Sequence, residues 1–145
     1  MVHCLNAYGV VLESQPNHEN GGNVEPGWKL VYSGDTRRCE AMVEASIGPT
    51  VLIHDATFDD SIHGGAIMNN HSTTKEALQV AKSSRVYRVI LTHFSQCNPK
   101  IPIFSDNYTS HACIAFDMMS VNLVDLPLVP RLIHFSKMKC YWMMI

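Results

Sequence analysis

Three apolar runs in this 145-residue chain each stop at a side chain that can hold a metal or a proton. Trp28-Lys29-Leu30-Val31-Tyr32 runs into Ser33-Gly34-Asp35, Val51-Leu52-Ile53 into His54-Asp55, and Val89-Ile90-Leu91 into Thr92-His93. Two more imidazoles come from other segments: His3, just before the first apolar run, and His71, just before a helix-opening stretch. Imidazole nitrogen and carboxylate oxygen are donors that divalent zinc takes at ~2.0–2.2 Å. A carboxylate has two oxygens and can bridge two metals ~3.5–4 Å apart. Asp35 suits that task, because Gly34 lets the backbone turn sharply beside it. His3, Asp35 and His93 would give one imidazole to each of two metals and share the carboxylate. That is too few donors for a closed two-metal site. The chain contains no HxH or HxxxH pair to supply more, so the rest are expected from outside it.

For these groups to meet, the strands must end at one edge of one sheet. Tyr8 to Leu12 reads as a strand, and the Asn-, Gly- and Pro-rich stretch from Ser14 to Gly27 as a surface loop. Trp28 to Tyr32 is a second strand. Arg38 to Ala45 has helical spacing and stops at Gly48-Pro49. Val51 to Ile53 is a short buried strand, followed by a polar connection from Asp59 to Asn70. Ser72 or Thr73 caps a helix running to about Ser83, with Glu76 near its third position. Val86 to Leu91 is the next strand, Pro99 to Asn107 is irregular, and Cys113 to Phe116 and Val121 to Val124 read as two last strands. Beyond Pro130 no period is clear. Strands alternating with helices argue an α/β layered domain, in which strand ends on one edge line a common crevice.

The totals set bounds. At 46% hydrophobic and 17% charged residues the composition is that of an ordinary globular domain rather than a disordered chain. A net charge of -2 makes no general attraction for nucleic acid, so any contact with RNA must be local. Five scattered cysteines, Cys4, Cys39, Cys97, Cys113 and Cys140, form no CxxC pair and are expected as reduced thiols of an intracellular protein. No apolar run approaches the ~20 residues of a membrane span. Met1 leads almost straight into the first strand, so the chain is expected to begin inside a fold, without a signal peptide.

Taken together these segments resemble ribonuclease Z, the tRNA 3′-end processing endonuclease of the metallo-β-lactamase superfamily, in its long eukaryotic form. The resemblance rests on HCLNAYG at His3 to Gly9, GWKLVYSGDTRRCEAMVEA at Gly27 to Ala45, LIHDATF at Leu52 to Phe58, NNHSTTKEA at Asn69 to Ala77, ILTHFSQ at Ile90 to Gln96, PKIPIFSDN at Pro99 to Asn107 and IAFDMM at Ile114 to Met119. SGDT alone is weak. HST after a His-acid-Ala-Thr motif, then THFSQ, is specific.

The resemblance implies the C-terminal part of a metallo-β-lactamase αββα sandwich, a mixed sheet with flanking helices, over residues 1–131, and a non-homologous or poorly ordered tail over 132–145. It implies a zinc-dependent hydrolase that uses two ions when intact and removes 3′ trailers from precursor tRNA, in the nucleus, the mitochondrion or both. Position by position, it makes His3 and His93 ligands of different zincs and Asp35 the bridge. It makes His71 the acid for the departing ribose 3′ oxygen and Asp55 the carboxylate that orients it. Ser72, Thr73 and Asp117 become contacts to phosphate or substrate. His54 is expected to pack structurally.

Departures from the family pattern are equally specific. The HxHxDH motif that supplies most remaining ligands is absent, so an upstream part of the same protein is expected as a partner, and this chain alone is expected to be inactive. Asp55 stands where Glu is usual, Arg38 where Pro is frequent, and Cys97-Asn98 where Arg-Tyr often follows FSQ. Two other readings stand beside the nuclease: a different metallo-β-lactamase-fold phosphodiesterase, and a non-catalytic truncated product. A sheet without its second layer should also expose apolar surface.

Overall fold

The computed structural model describes residues 1–18, 24–48, 51–95 and 110–131. The chain runs β1 (Val10–Ser14), β2 (Asn17–His18), β3 (Val24–Glu25), β4 (Trp28–Tyr32), α1 (Glu40–Ala45), β5 (Val51–Asp55), α2 (His63–Asn69), α3 (Thr74–Ser84), β6 (Arg88–Thr92) and β7 (Ala112–Ile114). Short 3-10 turns occupy Asp60–Ile62, Leu123–Asp125 and Val129–Arg131.

Five strands pair in the order β1-β4-β5-β6-β7, and β2 and β3 form a separate small hairpin. Strands β4 to β7 are mutually parallel, while β1 is antiparallel to β4, with Val10 opposite Tyr32 and Ser14 opposite Trp28. Parallel neighbours need crossover connections. Helix α1 makes the one from β4 to β5, and α2 with α3 the one from β5 to β6. Helices α1 and α3 pack on each other, and α3 lies against β5 and β6. Alternation along the strands sends Val31, Leu52, Val89 and Leu91 to that face, where they bury against Met42, Val80 and Ala77.

The other face is covered in part by the segment after β7. Val51, Ile90 and Cys113 lie under Leu126 and Val129. Arg88, buried on β6, fastens that segment: its Nε donates to the Leu126 carbonyl at 2.8 Å, and its guanidinium lies over the Tyr87 ring at 4.0 Å. Toward β1 the cover ends: Val10 and Leu12 are 48% and 50% exposed on this face, and Val11, on the helix face opposite Val31, is 45% exposed. The exposed apolar sheet surface expected from the sequence is found there.

The α/β architecture and mixed sheet agree with expectation, and several boundaries shift. Strand β1 begins two residues later than the apolar run, β5 extends through Asp55, and the 14–27 loop contains the β2–β3 hairpin. The connection expected from Asp59 to Asn70 instead holds a 3-10 turn and α2. Asp59 caps the turn by accepting from the Ser61 N–H at 2.9 Å, and Asn70, at φ 54°, closes α2 in the left-handed conformation. The strand expected at Val121 to Val124 is not formed. Asn122 donates its side-chain amide to Asp125 and accepts the Asp125 N–H, which bends the chain into a 3-10 turn. Helix α3 opens on Thr73 with a full capping box: Thr73 accepts from the Glu76 N–H, and Glu76 accepts from the Thr73 N–H. The readings at Pro99 to Asn107 and at 132–145 lie outside the described residues.

Candidate metal and proton-transfer centre

Because β4, β5 and β6 are parallel, their C-terminal ends meet at one edge. The register sets Tyr32 beside Ile53 and Asp55 beside Thr92. Antiparallel β1 starts at that same edge, so residues 1–9 lie across it. The Val2 N–H donates to Thr36 Oγ1 at 2.9 Å, and the Arg37 N–H donates to the Val2 carbonyl at 2.9 Å, pinning the first residues to the turn after β4. Asn70 holds His3 from the other side, donating from Nδ2 to the His3 carbonyl at 2.8 Å.

Asp35 sits between two of the imidazoles. His3 Nε2 lies 4.0 Å from Asp35 Oδ2, and His93 Nε2 lies 3.7 Å from Oδ1, so each ring faces a different oxygen of one carboxylate. His3 Nδ1 is 3.1 Å from the Asn70 carbonyl. A carbonyl only accepts, so Nδ1 carries the hydrogen and the Nε2 lone pair is the one directed at Asp35. Gly34 makes the approach possible at φ +58°; a Cβ there would stand 2.8 Å from the Tyr8 carbonyl oxygen. His93 is also left-handed, at φ 63°. A histidine held in that region is a local cost that functional sites concentrate.

Asp55 is the buried anchor, at 1% exposure. Its Oδ2 accepts from the Thr36 N–H at 3.0 Å and from His71 Nδ1 at 2.8 Å. Its Oδ1 accepts from the Thr57 N–H at 2.9 Å and the Thr57 hydroxyl at 2.6 Å. Four donors around two oxygens hold the carboxylate in a fixed orientation. His71 packs between the other two rings, 4.6 Å from His3 and 5.1 Å from His93, the latter pair stacked at 19°. Its backbone is fixed by a bond from its N–H to the Ala66 carbonyl at 3.0 Å.

Donor atoms of His3, Asp35 and His71 lie within 4.8 Å of one another, as do those of Asp55, His71 and His93. His71 belongs to both groups by distance alone. Its Nδ1 bond to Asp55 makes it the candidate for handling a proton, and Asp55, already surrounded by donors, is a poor ligand. His3, Asp35 and His93 remain as the candidate ligands, with nitrogen and carboxylate chemistry that suits zinc.

The other candidate residues fall differently. Ser72 is fully buried and donates to the Thr36 carbonyl at 2.7 Å; Thr73 is buried as the cap of α3. Both hydroxyls therefore face into the protein. Asp117 is exposed in the turn after β7, at the same sheet edge, with no ion pair to the imidazoles among the described residues. His54 is buried in the sheet, where its Nδ1–H donates to the Asp55 carbonyl at 2.7 Å. Burial holds its pKa below the ordinary value, so it is neutral and structural. Two features escape the sequence reading. Thr57 touches Asp55, His71 and His93, and its signal is the Asp-x-Thr spacing of an Asx turn. The Arg37–Glu76 ion pair ties the Asp35 turn to the start of α3.

Comparison with known proteins agrees with this architecture. Residues 9–94 match the sequence model of the β-lactamase superfamily domain. The chain is 53% identical over 137 residues to the mitochondrial tRNAse Z TRZ4 of Arabidopsis thaliana, covering 94% of this chain and 14% of that protein. It is 40% identical over 131 residues to the zinc phosphodiesterase ELAC protein 2 of Homo sapiens, covering 90% and 15%. Among solved structures, the long form RNase Z from yeast superposes with a TM-score of 0.75 at 30% identity, over 94% of this chain and 18% of that one. The chain thus spans 14–15% of the length of these curated relatives.

Proposed function

The chain belongs to the β-lactamase superfamily, and from that premise we propose that it forms the C-terminal part of a zinc-dependent endoribonuclease that removes 3′ trailers from precursor tRNA. One observation carries the reading: the two oxygens of Asp35 face His3 and His93 separately, directly beside the Asp55–His71 pair. A metal pair bridged by a carboxylate next to a general acid is an arrangement that suits phosphodiester hydrolysis. The names of the relatives, tRNAse Z and zinc phosphodiesterase, support the same substrate and metal.

The donor set fits zinc but is half of a site. His3 and His93 would each hold one ion and Asp35 would bridge them. The further ligands are assigned to polypeptide outside this chain, and the chain alone is expected to be inactive. When bound, zinc lowers the pKa of the attacking water and offsets charge on the phosphate. This chain's own residues serve the leaving group. As the phosphorus–oxygen bond breaks, negative charge collects on the ribose 3′ oxygen. His71 gives it a proton from Nε2, while Asp55 holds Nδ1–H and stabilises the charged imidazolium beforehand. Ser72 and Thr73 act by seating His71 rather than by touching phosphate. Asp117 is assigned to the acceptor end of the tRNA. The mitochondrial relative supports a mitochondrial location for the intact enzyme, the nucleus being the second site.

The test is a chimera in which this chain replaces the matching segment of the Arabidopsis relative. Trailer release from precursor tRNA, abolished by Asp35→Asn, is the expected result. Hydrolysis of bis(p-nitrophenyl) phosphate without trailer release would move the reading to another phosphodiesterase. Turnover by the isolated chain with added zinc would remove the claim that donors lie outside it.

A further inference from the structure

We propose that Thr57 is a positioning residue: its hydroxyl fixes His93 as the Nδ1–H tautomer and thereby aims the bare Nε2 of His93 at Asp35. Thr57 Oγ1 lies 2.6 Å from Asp55 Oδ1, 2.7 Å from His93 Nδ1 and 3.1 Å from His71 Nδ1. A hydroxyl has one hydrogen and two lone pairs. The buried carboxylate can only accept, so the Thr57 hydrogen is committed to Asp55. Toward both imidazoles Thr57 therefore offers only lone pairs. His71 Nδ1 is already a donor to Asp55 Oδ2 at 2.8 Å. At 2.7 Å the His93 contact is short, and it forms only if His93 Nδ1 carries the hydrogen. A neutral imidazole has one N–H, so Nε2 is left as the acceptor, and Nε2 is the atom 3.7 Å from Asp35 Oδ1.

The consequence is a chain of fixed polarity running from Asp55 through one hydroxyl to His93. The buried carboxylate that orients His71 also selects, through Thr57, the nitrogen with which His93 can bind metal. The same outcome is reached at His3 by a carbonyl, that of Asn70. At all three imidazoles Nδ1 is thus the hydrogen-bearing nitrogen, each held by a different kind of acceptor. Outer partners of this kind set ligand orientation in metal sites. The functional meaning rests on the ligand reading of His93 given above; the tautomer itself does not.

Long-range proton–nitrogen correlation spectra of the histidine-labelled full chain, without metal and above the imidazole titration range, read the tautomer directly. His93 is expected as Nδ1–H in the native sequence and in Thr57→Ser, and shifted toward Nε2–H in Thr57→Val. His71 should stay Nδ1–H in all three, held by Asp55, and serves as the folding control. An Nε2–H signal for His93 in the native chain overturns the proposal without any variant. So does an unchanged tautomer in folded Thr57→Val. Zinc titration of the same proteins is the second readout: affinity should fall about 10–100-fold in Thr57→Val and recover in Thr57→Ser. A tautomer shift with unaltered zinc affinity would uphold the role of Thr57 and reject His93 as a ligand.

Discussion

The carboxylate of Asp55 meets the imidazole of His71 at 2.8 Å, Oδ2 to Nδ1, across 16 residues of sequence. One member is buried in the sheet at 1% exposure and the other stands at its open edge with 13% of its side chain exposed. The pair therefore has a protected end and a more exposed end, the arrangement that the proposed general acid needs.

Asp55→Asn keeps the shape and removes the charge. The amide nitrogen then meets a donor where the carboxylate met only complementary hydrogens. Stability should fall by about 1–3 kcal/mol, the cost of leaving a buried polar group unsatisfied. In the chimeric enzyme, trailer release should fall by about 10²–10⁴-fold, the usual contribution of a positioned acid. Urea unfolding and single-turnover cleavage measure the two effects. Undiminished cleavage would remove Asp55–His71 from the mechanism.

Gly34→Ala tests the turn that presents Asp35. The new Cβ would meet the Tyr8 carbonyl oxygen at 2.8 Å, in a backbone already at φ +58°. A loss of about 1–3 kcal/mol in unfolding free energy is expected, together with weaker metal binding as Asp35 shifts. An unchanged urea midpoint would show that the turn can relax without cost.

Stability should depend on pH through His54. Burial lowers its folded pKa below the ordinary 6.5 of a histidine, while its Nδ1–H bond to the Asp55 carbonyl and the nearby carboxylates only partly oppose this. Below that value the unfolded chain takes up a proton that the folded chain refuses. Stability is therefore full above the unfolded pKa and is lost as pH falls from there toward the folded pKa. Unfolding midpoints compared at about pH 8 and about pH 5.5 should show this, and His54→Gln should flatten part of the difference. An identical pH dependence in the variant would mean that other groups account for it.

Cysteine reactivity should separate two of the thiols. Burial pushes the Cys113 thiol up to about 11, partly offset by the backbone at Ile114. Cys4 is exposed. Iodoacetamide at neutral pH should label Cys4 in the folded chain and reach Cys113 only after denaturation. Early labelling of Cys113 would indicate that the segment carrying Leu126 and Val129 opens readily.

The strand ends at Asp35, Asp55 and His93 are legible in the sequence because apolar runs of buried parallel strands are nearly continuous and their ends abrupt. The cap at Thr73 is legible because its partner, Glu76, sits at the spacing that a capping box demands. Helix α2 is not. Gly64-Gly65 and Asn69-Asn70 are poor helix formers, and its stability comes from burial of Ala66 and from the left-handed Asn70, neither of which has a local sequence mark. Val121 to Val124 misleads in the opposite direction: its apolar residues suit a strand, but the Asn122–Asp125 bond closes a turn. Thr57 shows why a site exceeds its motif. Its partners stand 2, 14 and 36 residues away, so its role exists only once β5, α2 and β6 have been assembled.

Strand β1 ends the sheet order, and half of the surface of Val10, Val11 and Leu12 is open to water. Such a rim is a template on which further strands can add, since its outward amides and carbonyls are already spaced for a ladder. At raised concentration the chain should therefore lengthen its sheet through this rim and pass from monomer to ribbon-like aggregates. A lysine in place of Val11 would act as a gatekeeper against that growth. The quantity that limits how much of this chain a cell can hold would then be set at β1, on the strand that lies farthest from His93 in the sheet order.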